Sequence, residues 1–257
     1  MKELTARIDG EFLAGQRFVL ADGEVTAARW PVLAGRNIPP LRVGDVLARG
    51  GEPFARVESA SWWTGNPSRR VWILEALARL EPGEVALEHE RRGRTLAWIT
   101  LSDKGAAGLR ADASGPLIEE MVRAILPLGL ARGFVLPDDE RALRALIADL
   151  ALVQGYDLIL TTGGTGVAPR DVTPEATLAV IEKRLPGFER AMTAASLTKT
   201  PFGAVSRAVA GTLGQSLVLN LPGSPKAVRE CLEPLLPALA HTLDKLQGDP
   251  AECGGPA

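Results

Sequence analysis

Thr161-Thr162-Gly163-Gly164-Thr165-Gly166-Val167-Ala168-Pro169-Arg170-Asp171-Val172-Thr173-Pro174 follows directly on the apolar run Tyr156-Asp157-Leu158-Ile159-Leu160. The pattern is that of a strand breaking into an anion-binding loop. Three glycines within four residues let the backbone take positive φ and bring its N–H groups close to a ligand, while flanking threonines offer hydroxyls and Asp171 a carboxylate. Such a set suits a phosphate with a metal ion beside it. Thr173-Pro174 reads as an N-cap followed by proline at the first helical position, so the loop ends at the positive end of a helix dipole.

On either side of this loop, strand and helix patterns alternate. Thr95 to Leu101 is an apolar run suited to a buried parallel strand, followed by a polar loop from Ser102 to Ala113. Ser114 then reads as the N-cap of an amphipathic helix whose shared face carries Leu117, Ile118, Met121, Val122 and Ile125. Gly133 to Leu136 is a second strand, ending at Pro137-Asp138-Asp139; Asp139 caps a helix that Gly155 stops. After the third strand and the glycine loop, a helix is expected from Pro174 to about Arg184 and, after Pro186, a short one through Phe188 to Ala195. Val205 to Ala210 and Ser216 to Leu221 read as strands, and Ser224-Pro225 opens a last helix that Pro234 and Pro237 interrupt. The β-α-β-α-β order implies an α/β fold with a doubly wound, mostly parallel sheet, whose ligands bind beyond the carboxyl ends of the strands. Asp138, Gly163 to Asp171 and Leu221 to Ser224 would then share one crevice.

Residues 1–93 differ. They hold Trp30, Trp62, Trp63 and Trp72 and only short apolar segments punctuated by Gly and Pro, the pattern of a smaller β-rich domain. Val71 to Leu80 fits a strand or a helix equally. Trp62-Trp63 with Arg69-Arg70 could form an exposed recognition patch, but the burial preference of aromatics favours a core aromatic followed by a solvated turn. Residues 94–246 make the α/β domain and 247–257 a flexible tail.

A formal net charge of −2 over 257 residues gives no electrostatic reason to expect nucleic acid or an anionic membrane as a partner. No run of 18 apolar residues occurs and the first nine residues are too charged for a signal peptide, so the cytoplasm is expected. Cys231 and Cys253 with His89 and His241 form no zinc or disulfide pattern, and Cys231 falls at the spacing of a buried, inert thiol.

Two familiar glycine motifs do not fit the loop. Val167-Ala168 stand where a P-loop needs its lysine, and Pro169 stands where a dinucleotide fingerprint needs a small residue. What remains is a glycine loop with Asp171 beside it and Asp138 at the neighbouring strand end. Taken alone, either acid reads as a helix-start or turn carboxylate; together beside a phosphate they require a cation, and Mg²⁺ binds one or two carboxylates plus phosphate oxygens and water. The chemistry indicated is phosphoryl or nucleotidyl transfer.

These residues also resemble the MogA/MoaB family of molybdenum-cofactor biosynthesis proteins, whose domain also occurs in gephyrin and plant Cnx. Thr161 to Thr177 carries the resemblance, joined in order by Leu101-Ser102-Asp103-Lys104-Gly105, Ser114-Gly115-Pro116, Leu136-Pro137-Asp138, Pro186-Gly187-Phe188, Val205-Ser206-Arg207 and Asn220 to Lys226. The resemblance implies a molybdopterin adenylyltransferase with ATP and molybdopterin as substrates. Asp138 and Asp171 would be catalytic and hold Mg²⁺; Gly163, Gly164, Thr165, Gly166, Ser114 and Gly115 would bind nucleotide; Ser206, Pro222, Gly223 and Ser224 would bind molybdopterin. It further implies a homotrimer and a partner protein that inserts molybdenum. Two positions depart from the family pattern: Lys104 stands where arginine is frequent, and Ala113 where a basic residue is frequent. Gly35 to Ile38 and Leu41 to Leu47 faintly resemble the MOSC domains of molybdenum-cofactor enzymes, without their cysteine. The competing readings are a non-catalytic molybdopterin carrier and a competence-damage type nucleotide domain; the paired carboxylates and the Pro169-Arg170-Asp171 spacing speak against them.

Overall fold

A computed structural model describes residues 4–8, 10–22 and 31–250. Trp30, Cys253, the tail from 251 onward and parts of the charged N-terminal stretch (1–3 and 9) lie outside the described residues. The chain divides into two compact units, residues 1–94 and 95–257.

Seven strands build the first unit: β1 (Leu4–Ile8), β2 (Arg17–Asp22), β3 (Val32–Arg36), β4 (Asp45–Arg49), β5 (Glu52–Trp63), β6 (Arg69–Ala76) and β7 (Gly83–Arg91). They close into a barrel in the order β1-β3-β2-β6-β5-β4-β7, sealed by antiparallel pairing of β7 with β1 from Leu4↔Leu87 to Ile8↔Gly83. Alternation explains the filling: β1 reads buried-exposed-buried along Leu4, Thr5 and Ala6, and Phe18, Leu20, Leu33, Leu47, Leu74 and Leu87 are fully enclosed.

The segment Val71 to Leu80, open between helix and strand, is strand as far as Ala76, because it pairs on both sides, with β2 (Phe18↔Leu74) and with β5 (Val57↔Leu74). The expected core aromatic needs correction. Trp62 is 63% exposed and sits opposite Arg70 near the end of the long β5–β6 hairpin, while Trp63 only half-buries against Val19, Ala21 and Val71. Trp72 is the buried one, its indole N–H donating to Leu41 O at 3.2 Å.

The second unit is a six-stranded sheet ordered β11-β12-β13-β10-β8-β9, with β8 (Arg94–Leu101), β9 (Leu128–Leu136), β10 (Leu158–Thr162), β11 (Lys183–Arg184), β12 (Ala210–Leu213) and β13 (Ser216–Leu221). Its centre is parallel: Leu158 of β10 stands level with Leu96 of β8 and with Leu217 of β13. β10 and β13 are buried along their whole length, as strands covered on both faces must be. The helices are α1 (Asp103–Ala106), α2 (Ser114–Arg123), α3 (Glu140–Ala148), α4 (Thr173–Leu178), α5 (Pro186–Leu197), α6 (Pro225–Leu232) and α7 (Leu236–Leu246). Asp139 caps α3 by accepting from Ala142 N at 2.9 Å, and Gly155 ends the following π turn (149–154) in the left-handed region.

Five expectations about elements fail. Ser114 is the first residue of α2 and not its cap, and Ile125 falls beyond its end, 43% exposed. Thr173 likewise lies inside α4, capped by Val172. α4 stops at Leu178 because the chain must turn to pair Lys183 and Arg184 with β12. The strand expected from Val205 begins only at Ala210, and a 3-10 turn occupies Pro201–Val205.

No helix among the described residues is long and apolar enough to cross a membrane.

Candidate functional site

The carboxyl ends of β8, β10 and β13 open into one cavity of about 370 Å³. Its lining brings together Ser114, Asp138, Gly163, Gly164, Asp171, Gly223 and Ser224 from distant parts of the chain. Of the other expected residues, Gly115, Thr165, Gly166 and Pro222 adjoin lining residues in the chain without lining the cavity themselves, and Ser206 lines a different cavity.

The glycines of the loop play different parts. Gly163 and Gly164 have φ of +99° and +63°, and a Cβ there would stand 2.5 Å from Leu101 O and 2.5 Å from Thr173 Oγ1 respectively. Gly166 needs no positive φ; its constraint is spatial, because a Cβ would lie 2.7 Å from Asp171 Oδ2. Gly163 donates its N–H to Leu221 O at 3.1 Å, whereas the N–H groups of Gly164, Thr165 and Gly166 meet no protein acceptor among the described residues. Thr173 pins the loop from behind, its hydroxyl donating to Gly163 O at 2.8 Å and its N–H to Gly164 O at 3.1 Å.

The loop after β13 is tied to the same floor. Thr162 Oγ1 donates to Pro222 O at 2.6 Å and Ser114 Oγ to Gly223 O at 2.9 Å, while Ser224 caps α6 by accepting from Ala227 N at 3.2 Å. Asp112, which sequence reasoning passed over, holds α2 in place. Its carboxylate accepts from Ser114 N (3.1 Å), Gly115 N (2.9 Å), Thr100 Oγ1 (2.8 Å) and Trp98 Nε1 (3.3 Å). The first N–H groups of α2 are therefore spent on Asp112. The available signal was an aspartate two residues before a serine at a helix start, the geometry of a capping acid.

Besides Asp112, the carboxylates of Asp103, Asp138 and Asp171 line this space with Lys104, Arg110 and Arg170. Burial pushes the Asp138 carboxyl above its ordinary pKa, and the charges of Asp103 and Asp171 push it further against the opposing pull of Arg170. Asp171 Oδ2 accepts from Ala168 N at 2.8 Å, which fixes that carboxylate beside the loop. Like charges held together in this way suit a cation. No three His, Cys, Asp or Glu side chains make a cage among the described residues, so substrate oxygens and water would complete the shell of such an ion.

Ser206 lines a second cavity, of about 620 Å³, with Glu175, Arg184, Arg190 and Arg207 and the apolar side chains of Leu178 and Leu197. Arg207 connects it to the glycine loop. Its main-chain N–H donates to Thr165 O at 2.9 Å, and its guanidinium to Gly166 O at 2.7 Å, to Asp171 O at 2.6 Å and to the Glu175 carboxylate. That bond holds the Glu175 carboxyl below its ordinary pKa. Cys231 is buried in the core, which pushes its thiol up to about 11 and leaves it unreactive.

Residues 97–241 match the family described as a probable molybdopterin binding domain. The molybdopterin adenylyltransferase of Helicobacter pylori strain J99 is 42% identical over 153 residues, 59% of this chain and 86% of that protein. The molybdopterin adenylyltransferase of Escherichia coli K12 is 39% identical over 140 residues, 54% of this chain and 71% of that protein. Among solved structures, the molybdopterin biosynthesis enzyme MoaB of Thermus thermophilus superposes with a TM-score of 0.56 at 42% identity, covering 62% of this chain and 99% of that one.

Proposed function

The chain belongs to the MogA/MoaB family of molybdenum-cofactor biosynthesis proteins, and from that premise we propose that it is a Mg-ATP-dependent molybdopterin adenylyltransferase. The observation that carries this reading is the meeting of Asp138 and Asp171 with the glycine loop in a single cavity at the carboxyl end of the sheet. In the proposed reaction an oxygen of the molybdopterin phosphate forms a bond to the α-phosphorus of ATP, the bond between that phosphorus and the bridging oxygen breaks, and pyrophosphate leaves. No side-chain nucleophile is needed, so the work of the protein is placement and charge neutralisation.

The residues of the cavity divide that work. Asp138 and Asp171 would hold Mg²⁺, which when bound neutralises phosphate charge. The unoccupied N–H groups of Gly164, Thr165 and Gly166 are suited to phosphate oxygens, and Gly163 serves by fitting against Leu101 O. Ser114 and Gly115 act through the floor: Ser114 Oγ holds Gly223 O, and the close fit of Gly115 against Trp98 and Asp112 leaves no room for a Cβ. Lys104, Arg110 and Arg170 supply positive charge for the polyphosphate. We assign molybdopterin to Gly223 and Ser224 in the lining, with Pro222 preceding them, and to Ser206 on the Thr165 side of the loop.

Exposed apolar side chains at Leu178, Leu197, Phe202 and Val205 support self-association, in keeping with a homotrimer. We place the protein in the cytoplasm, working beside a molybdenum-inserting partner, with the N-terminal module of residues 1–93 outside the chemistry. The test is pyrophosphate release by the purified full chain given Mg-ATP and molybdopterin. Asp171→Asn should lower kcat by a factor on the order of 10² or more. Unaltered turnover in that variant, or molybdopterin binding by the unmodified chain with no turnover of ATP, would overturn the reading, the latter in favour of a carrier.

A further inference from the structure

Val167, Ala168, Pro169 and Arg170 form the exposed crest of the glycine loop. Within the crest the chain is held by a turn, Asp171 N to Ala168 O at 2.8 Å, and by Ala168 N to Asp171 Oδ2 at 2.8 Å. Both bonds are local to the loop and do not tie the crest to the body of the domain; the Arg170–Asp103 ion pair at 3.9 Å is exposed. The carbonyls that bound it, Gly166 O and Asp171 O, are gripped by one guanidinium, that of Arg207, which arrives from the chain before β12 and is braced by the Glu175 carboxylate. A planar fork can hold two carbonyls and a carboxylate at once; an ammonium on a flexible stem cannot reproduce that geometry.

We infer that Arg207 is a positioning residue for the proposed reaction: by clamping Gly166 O and Asp171 O from the side of the second cavity, it sets where the Asp171 carboxylate stands in the first. The inference rests on the function proposed above for its catalytic consequence, while the clamp itself is a property of the chain alone. The lowered pKa of Glu175 agrees with it, because the brace is an ionised carboxylate. Arg190 supplies the contrast: it lines the same second cavity and bonds no atom of the loop.

The experiment compares the full chain with Arg207→Gln, Arg207→Lys and Arg190→Gln by amide hydrogen exchange and by steady-state pyrophosphate release. Loss of charge-assisted bonds should speed exchange across 164–172 at least about tenfold in Arg207→Gln. Arg207→Lys should fall between it and the unmodified chain, and Arg190→Gln should leave this segment unchanged. kcat should drop at least about tenfold in Arg207→Gln, and the KM for ATP should rise with it, since the N–H groups proposed for the phosphates lie in the loosened segment; Arg190→Gln should leave both unchanged. Unchanged exchange in 164–172, or acceleration spread equally over β8, β10 and β13, would overturn the inference, the second outcome by showing a merely structural role. An unmodified chain that releases no pyrophosphate would count against the function and not against the clamp, which the exchange comparison decides by itself.

Discussion

Gly164→Ala and Thr173→Ala should be strongly non-additive. Gly164 has φ of +63°, where an alanine costs about 1 to 2 kcal/mol. Its new methyl would also stand 2.5 Å from Thr173 Oγ1, closer than any real contact. That hydroxyl is fully buried and donates to Gly163 O at 2.8 Å, so moving it aside breaks a bond and adds about 1 to 3 kcal/mol. Gly164→Ala alone therefore costs about 2 to 5 kcal/mol, and Thr173→Ala alone, which loses the same bond, about 1 to 3 kcal/mol. In the double variant the obstacle is gone: the methyl meets Thr173 Cβ at 3.5 Å, an ordinary contact. The bond is then lost once and not twice, so the pair should cost about as much as Gly164→Ala alone, with a coupling of about 1 to 3 kcal/mol. Since the chain has two units and need not unfold in one step, the measurement is native-state exchange of the β10 amides, where about 1.4 kcal/mol is a factor of ten. Strict additivity, or a harmless Gly164→Ala, would refute the steric account of the loop.

Asp138→Asn should raise Tm while abolishing adenylyl transfer. The native state binds the Asp138 proton more tightly than the unfolded chain does, so the ionised carboxylate costs stability as pH rises from the ordinary value of 3.8 through the raised native pKa. The gain over the unmodified chain should be full above that window and vanish below it; a variant less stable at pH 7 would contradict the argument. In the barrel, Trp62→Ser should change stability by no more than about 0.5 kcal/mol and Trp72→Ala should cost about 3 to 5 kcal/mol, read from exchange of the β2 amides. Equal costs would show that the exposed indole contributes to the packing of the barrel.

The strands nearest the ligand were legible because a parallel strand covered on both faces must be apolar along its length, as Leu96 to Leu101 and Leu158 to Leu160 are. Asp139 and Gly155 were legible because their effect is local: one acid caps, one glycine stops. What failed depended on distance. α4 is short because residues after it must reach β12, and Val205 to Val209 is not strand because that segment delivers Arg207 to carbonyls more than 30 positions away. Trp62 escaped the core because the period-2 rule fixes only which side of the strand it faces, and near the end of the β5–β6 hairpin, opposite Arg70, that side is exposed. Within the site, the carboxylates and glycines could be named from their types and spacing. For Asp112 only its bonds to the start of α2 were legible; its hold on Trp98 and Thr100 appears only when β8 and α2 converge on it.

The place of β13 between β10 and β12 has a consequence for how the protein is made. On the ribosome β10, which ends at Thr162, is complete about 59 residues before β13 ends at Leu221, an interval of about 3 to 12 s. Through most of it the nascent chain carries β10 with one hydrogen-bonding edge bare, although the glycine loop that follows has already been synthesised. Leu221, Pro222 and Gly223, whose carbonyls receive Gly163 N, Thr162 Oγ1 and Ser114 Oγ, emerge afterwards. A translation product arrested anywhere before them would display the glycine loop with no floor beneath it, so on the proposed function nucleotide capture would mark a sheet whose central strand has arrived.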